Sequence, residues 1–272
     1  MTTLRIGQVL FAIGLAALGL MSLIFDDFAL VWQPVPDGLP LRACFAYASG
    51  AVLLITSIGM LVPRTAARSA LVLVIFVTSW LLVLQLPRVV REPGNVLMWL
   101  GFGENLLLVA GGWVLVRFLA LRTSAGRTAL AQDHLTRMAR LLFATSLPII
   151  GLSHFVYVDG TAAMVPAWLP YRVAIAYLTG AGHVAAGIGI LLGIVPRLAA
   201  TLEAVMLTLF VVLLHAPGVM AAPRDRFQWT MLGIATAYTG AAWAVSGSLH
   251  DVPWARIFRA RPRGPEVAPM CG

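Results

Sequence analysis

Leu10-Phe11-Ala12, Gly19-Leu20, Leu39-Pro40-x-Arg42, Ala46-Tyr47-x-x-Gly50, Val62-Pro63-Arg64 and Pro87-Arg88-Val89 have counterparts, in the same order, further along the chain. The second set reads Leu142-Phe143-Ala144, Gly151-Leu152, Leu169-Pro170-x-Arg172, Ala176-Tyr177-x-x-Gly180, Val195-Pro196-Arg197 and Pro217-Gly218-Val219. The offset is 132 between Phe11 and Phe143, 130 between Arg42 and Arg172, 133 between Arg64 and Arg197, and 130 between Pro87 and Pro217. Offsets that change only in the connections are what a duplicated unit with short loop insertions and deletions leaves behind. The chain therefore reads as one unit written twice.

Both copies are too apolar for water. Of 272 residues, 60% are hydrophobic and only 11% charged, with a mean hydropathy of +0.90. Soluble domains carry roughly 25% charged residues, so this chain lacks the polar surface to face water all round, and the membrane class is what fits. The net charge of +8 comes from arginine, because the chain has no lysine. No cluster of basic residues marks a nucleic-acid face. The two cysteines, Cys44 and Cys271, form no CxxC, which leaves dithiol chemistry and cysteine-based zinc sites without support. Phosphate-cradling Gly-rich loops, HExxH and GxSxG are missing too, and length excludes a large soluble catalytic domain.

Eight apolar segments are long enough to cross ~30 Å of hydrocarbon as helices, near 6–25, 41–62, 69–87, 95–116, 138–158, 172–195, 198–216 and 227–247. Backbone groups in lipid must pair within their own segment, so helix is the only option for each. The first span is kept as a helix rather than a signal peptide, because its counterpart is internal. Thirteen arginines fall on one side of these spans and six on the other, the six balanced by Asp26, Asp27, Asp37, Glu92, Asp159 and Asp225. The positive-inside rule then predicts both termini on the cytoplasmic side of the membrane.

Each unit holds an even number of spans, so both sit the same way up, as in parallel-repeat transporters. The expected fold is an all-α membrane protein with eight transmembrane helices arranged as two parallel-repeat four-helix bundles. The first unit covers 1–120, a cytoplasmic linker 121–136, the second unit 137–249, and a basic cytoplasmic tail 250–272. Gly180, Gly182, Ala185, Ala186, Gly187, Gly189 and Gly193 make span six the helix best suited to close packing. Trp32 with Pro34, Pro36 and Pro40, and Trp168 between Pro166 and Pro170, suit rigid segments at the headgroup level. Two roles are open for them, an interfacial anchor or a cap over an outward-facing cavity.

The second unit carries Gly151-Leu-Ser-His-Phe155, Val165-Pro-Ala-Trp-Leu-Pro170, Ala176-Tyr-x-Thr-Gly180, His183-x-Ala-Ala-Gly187, Arg197-Leu-Ala-Ala200, Met206-x-x-Leu-Phe210 and Leu214-His-x-Pro217. Over about residues 137–248 it resembles the DoxX family of four-span bacterial membrane proteins, and the first unit resembles the same family more faintly. That resemblance implies a bacterial inner-membrane protein associated with redox chemistry. Its family members are linked to quinone-coupled sulfur oxidation and to membrane oxidoreductase complexes, so a membrane or periplasmic oxidoreductase becomes a candidate partner alongside the lipid bilayer.

Ionisable groups in lipid are expensive, and each needs an account. The candidates are Glu104, His154, His183, Glu203 and His215. By the repeat, His154 aligns with Ser22, His183 with Leu53 and His215 with Gln85, while Glu104 aligns with Ile234. Residues needed only to hold the fold would be demanded in both copies, so the asymmetry points to a site in the second. At ~1.5 Å per helical residue, His154 and His215 lie about 6 and 2 Å below the outer ends of their spans. His183 and Glu104 lie about 17 and 14 Å down theirs, near the bilayer middle. Two layers are expected: an outer histidine pair and a deeper His/Glu pair. Glu203, about 8 Å from the cytoplasmic end of span seven, is expected to pair with Arg197 or Arg140 as those side chains snorkel.

Three readings compete for these residues. His154, His183, His215 and Trp168 could bind a quinone headgroup, with His154, His215 and Glu104 handling its protons. His154 and His215 could instead hold haem or a metal, although no ligand spacing supports that and no metal ligands are assigned. In the third reading each histidine simply bonds a neighbouring helix. At the level of function the candidates are a membrane subunit or small-ligand-binding component of redox chemistry, a carrier for a small solute gated by Glu104 and His183, and a non-catalytic assembly protein. Catalysis itself is not decided by these residues.

Overall fold

The computed structural model describes residues 2–121 and 133–255. Most of the expected linker at 121–136, the tail beyond 255 and Cys271 lie outside the described residues. Counting helices through their π-bulges, the described residues form nine helices: α1 Thr2–Ile24, α2 Arg42–Leu61, α3 Ala66–Arg91, α4 Val96–Leu121, α5 His134–Val156, α6 Val158–Met164, α7 Arg172–Leu192, α8 Pro196–Ala221 and α9 Arg226–Ser248. Seven of these, all but α6 and α9, are long and apolar enough to cross a membrane. The chain is thus an all-helical protein that fits a multi-pass membrane environment. The eighth expected span, 227–247, coincides with α9. That helix has 23 residues but is made largely of Ala, Gly, Thr and Ser and is buried along most of its length. A helix enclosed by protein needs small side chains for contact rather than long ones for lipid.

Prolines and capping residues set the boundaries. Asp133 caps α5 by accepting from the Thr136 N–H, and Asp225 caps α9 by accepting from the Phe227 N–H. Inside α3 and α8 the helix widens into single π-turns, Leu81–Gln85 and Val211–His215. Each lies just before a proline, Pro87 or Pro217, whose ring would collide with the carbonyl four residues back and which donates no N–H. Both α2 and α7 are entered through a left-handed residue directly after a proline: Leu41 at φ 55° and Tyr171 at φ 54°. The Trp99 indole donates to the Pro93 carbonyl (2.8 Å), and that of Trp229 donates to the Pro223 carbonyl (2.9 Å).

Helices α4 and α9 form the centre. In the first half α1 packs on α2, α2 on α3, and α3 on α4; in the second, α5 packs on α7, α7 on α8, and α8 on α9. Across the halves α1 packs on α9, α5 on α4, and α4 on α9, so a single apolar core runs through both. Lipid tails are as apolar as leucine, so what holds such helices together is close contact rather than exclusion from water. Between α1 and α9 that contact is backbone to backbone. A Cβ at Gly14 would lie 2.3 Å from the Ala237 nitrogen, and one at Gly240 would lie 2.2 Å from the Phe11 nitrogen.

At one end of the bundle Asp27 joins the halves. Its carboxylate accepts from Arg42 Nε (2.8 Å) and lies 3.4 Å from Nη1 of Arg226, while Arg226 also donates to the Phe28 carbonyl (2.6 Å). Burial pushes the Asp27 carboxyl up, but the Phe28 N–H and the two guanidiniums outweigh it and hold it below the ordinary carboxylate value. At the other end Arg117 pairs with Asp133 (2.9 Å), Arg140 donates to Ser248, and Arg197 stacks over the Trp254 ring at 4.0 Å.

Two outcomes follow from this packing. Gly240→Leu should cost about 3 kcal/mol or more, because backbone and not a movable side chain occupies the space. Gly160→Ala, with nothing within 4 Å of the added carbon, should leave the melting temperature nearly unchanged. A lowered folded-state carboxyl stabilises above its unfolded value of ~3.9 and loses that contribution as pH falls through the folded value. The melting-temperature advantage of the native protein over Asp27→Asn, measured in detergent from pH 7 downward, should therefore shrink below about pH 4.

Candidate functional site

Glu104, His154, His183 and His215 all line one cavity of about 270 Å³. They come from four helices, α4, α5, α7 and α8, and Tyr238 of α9 adds a fifth wall. The remaining lining is apolar, including Ile150, Met206, Phe210 and Leu214, with Met164, Pro166 and Leu169 closing it from α6 and the segment after it.

Small residues bring the polar groups together. A Cβ at Gly151 would meet the Gly180 carbonyl at 2.7 Å, and one at Gly180 would meet the His154 Cβ at 2.7 Å. With both glycines in place, α5 and α7 approach until the His154 and His183 rings lie 5.0 Å apart. The expected separation into an outer and a deeper layer does not hold, because this contact links His154 directly to His183. Glycines also flank Glu104. Gly101 lets Gln85 of α3 approach, with its Oε1 2.8 Å from where a Cβ would sit, and Gly103 admits Ile149 of α5 at 3.0 Å. The π-turn Val211–His215 shifts the register of α8 at its last residue, which is where His215 joins the cavity wall.

Each polar group has a distinct setting. Nδ1 of His183 lies 2.9 Å from Oε1 of Glu203, and their side chains are 2% and 0% exposed. Nδ1 of His154 lies 3.2 Å from the Ile150 carbonyl of its own helix. Glu104 lies deep between helices yet keeps accessible surface, because it faces the cavity. The buried Tyr238 hydroxyl of α9 interacts with the Glu104 carboxyl of α4. Among the described residues no group of three or more His, Cys, Asp or Glu side chains could hold a metal ion.

Two expectations need correction. Trp168 does not line the cavity; it is 70% exposed, while its neighbours Pro166 and Leu169 turn inward. Glu203 pairs with His183 rather than with Arg197 or Arg140. The packing of α7 on α8 turns it inward, and those arginines are occupied by Trp254 and Ser248. Tyr238 escaped the sequence reading, which looked only for charged groups and imidazoles. A lone phenol in a helix of Ala, Gly and Thr was the signal that could have revealed it.

In the first half, the positions aligned with the histidines are closed. Ser22, Leu53 and Gln85 are each 0% exposed. Trp32 stacks on Trp80 with centroids 6.0 Å apart, Gln33 donates to Ser49 Oγ (3.0 Å), and Gln85 donates to the Trp32 carbonyl (3.3 Å).

Gly180→Val should lower stability by about 1–3 kcal/mol, since the added carbons meet α5 itself. Gly182→Ala, facing only the flexible Met206 side chain at 3.2 Å, should lose much less. Thermal melts of the two variants side by side check the contrast.

No curated protein and no solved structure matches the chain. A family model described as a domain of unknown function (DUF8561) matches residues 143–246. The match takes in His154, His183, Glu203, His215 and Tyr238, and leaves Glu104 outside.

Proposed function

We propose that this protein binds one small, largely apolar molecule with a hydrogen-bonding head inside the membrane, and that the head is of the quinone class. The observation that carries the reading is the convergence of Glu104, His154, His183, His215 and Tyr238 on one apolar cavity. Ligand pockets run from about 300 to 1,000 Å³, so a hollow of about 270 Å³ suits a single ring better than a larger molecule. Imidazoles offer both donors and acceptors to ring carbonyls, and the apolar lining suits the rest of the ligand.

The wider proposal has the chain as a tandem of two DoxX-like units in the bacterial inner membrane, with both termini cytoplasmic and an oxidoreductase as partner. Its support is the paired detail of the halves. These include the π-turns before Pro87 and Pro217, the left-handed residues Leu41 and Tyr171, the indole bonds of Trp99 and Trp229, and matching neighbour relations among the helices. In this account the first unit lost its site when Trp32 and Gln33 filled it, and the second kept an open one.

Decylubiquinone is the probe for the test. It should bind the purified protein saturably and quench its tryptophan fluorescence. His154→Ala and His215→Ala should each weaken binding about tenfold, the worth of roughly one hydrogen bond. Absence of binding, or binding unchanged in the double variant, removes the reading. The placement of Glu104 and His183 on the same cavity favours one rival, a carrier for a weakly acidic solute. That rival predicts pH-dependent uptake lost in Glu104→Gln but kept without His154 and His215.

A further inference from the structure

The His183–Glu203 pair stands between two spaces. His183 lines the cavity, whereas Glu203 lines a separate groove of about 550 Å³ between α7 and α8. This groove lies on the outer surface of the helix pair, where Ile188, Leu198 and Leu202 are exposed. Small residues line it, with Ala186 and Gly189 buried and Ala185 exposed. It extends to Ile194 and Val195 in the turn that precedes Arg197. Glu203 is seven residues into α8, about 10 Å along the axis from that turn.

Glu203 uses only half of its bonding capacity. Oε1 is held by His183 at 2.9 Å, while Oε2 is buried without a partner. Among the described residues Nε2 of His183 also takes no hydrogen bond. A pair kept for stability alone would be expected to satisfy both oxygens, because an unused acceptor on a buried carboxylate is costly. One bond in the middle, with an unbonded Nε2 on the cavity side and a buried, unpartnered Oε2 beside the groove, is instead the arrangement of a relay. Imidazole can take a proton on one nitrogen and release another from the second.

We propose that His183 and Glu203 form a proton path joining the cavity to the α7–α8 groove, which opens toward the end of the molecule that carries Arg197. A proton from an acidic group or water in the cavity adds to Nε2 of His183. The proton on Nδ1 passes to Glu203, and the carboxylic acid so formed, which is buried at rest, turns toward the groove and gives one proton to water there. One proton enters and one leaves, no electron moves, and the imidazole resets by turning about its Cβ–Cγ bond. The groups facing His183 are His154 on α5, Glu203 and Phe210 on α8, and, at electrostatic range, Glu104 on α4. The path shares its cavity with the ligand-binding reading but does not depend on what the ligand is.

The test uses the full chain in vesicles of phosphatidylethanolamine and phosphatidylglycerol containing a pH-sensitive dye, with a potassium diffusion potential imposed. The native protein should admit protons at least tenfold faster than empty vesicles, and Glu203→Gln should abolish the excess. Ala185→Phe fills the groove from its exposed face, touches neither relay residue, and should cut the flux as well while still binding decylubiquinone. It also carries the test if Glu203→Gln fails to fold. Dicyclohexylcarbodiimide, which adds to protonated carboxyls in apolar surroundings, should give an N-acylurea on Glu203 by peptide mass spectrometry, and Ala185→Phe should block it. Native flux no greater than empty vesicles, or equal flux in Glu203→Gln or Ala185→Phe, overturns the path. Glu203-dependent flux without quinone binding keeps the path and removes the ligand reading; quinone binding without such flux does the reverse.

Discussion

The constraint on which the rest depends is that helices in lipid gain little from hiding apolar side chains and must be held by close approach. In this protein glycine supplies the approach wherever position matters. Gly14 and Gly240 let α1 and α9, the first and last of the long helices, touch along their backbones and tie the two halves into one core. Because the halves share that core, α4 of the first half reaches the second and delivers Glu104 to a cavity whose other walls lie later in the chain. Two independent bundles standing side by side would not place that carboxyl there.

The same economy governs polarity. The outer charges sit at helix ends, where Asp27, Arg42 and Arg226 form one network and Arg117 and Asp133 another. Inside, most hydroxyls bond carbonyls of their own helix, as Thr208, Thr236 and Thr239 do. Against that background the His183–Glu203 pair, the Tyr238 hydroxyl and Glu104 are different in kind. They join different helices, and Oε2 of Glu203 is buried without a partner. Buried ionisable groups of this sort are a functional signature in membrane proteins, and here they surround a hollow instead of being scattered.

The contrast between the halves gives this arrangement its meaning. Where the second half has His154, His183 and His215 around open space, the first has Ser22, Leu53 and Gln85 in a closed interior filled by Trp32 and Trp80. Gln85 keeps a polar side chain at the π-turn, but spends it on the Trp32 carbonyl.

Much of this was legible in the chain itself. Hydropathy and proline placement located the seven helices that are long and apolar enough to cross a membrane, because in lipid a segment's own composition determines whether it can cross and where it must stop. Ionisable side chains inside apolar segments drew attention to Glu104, His154, His183 and His215, and these four line one cavity. Depth counted along each helix was a poorer guide. It assigned His154 and His183 to separate layers although their rings are 5.0 Å apart, because axial rise takes no account of how neighbouring helices cross and tilt. It also paired Glu203 with arginines, since charge and level are visible in sequence but the direction in which a helix faces is not. The sequence by itself determined that the chain is helical, apolar and polar at a few chosen points. Only the tertiary structure decided which of those points meet, because the rotation of each helix about its axis is set by the glycines it packs against on its neighbours.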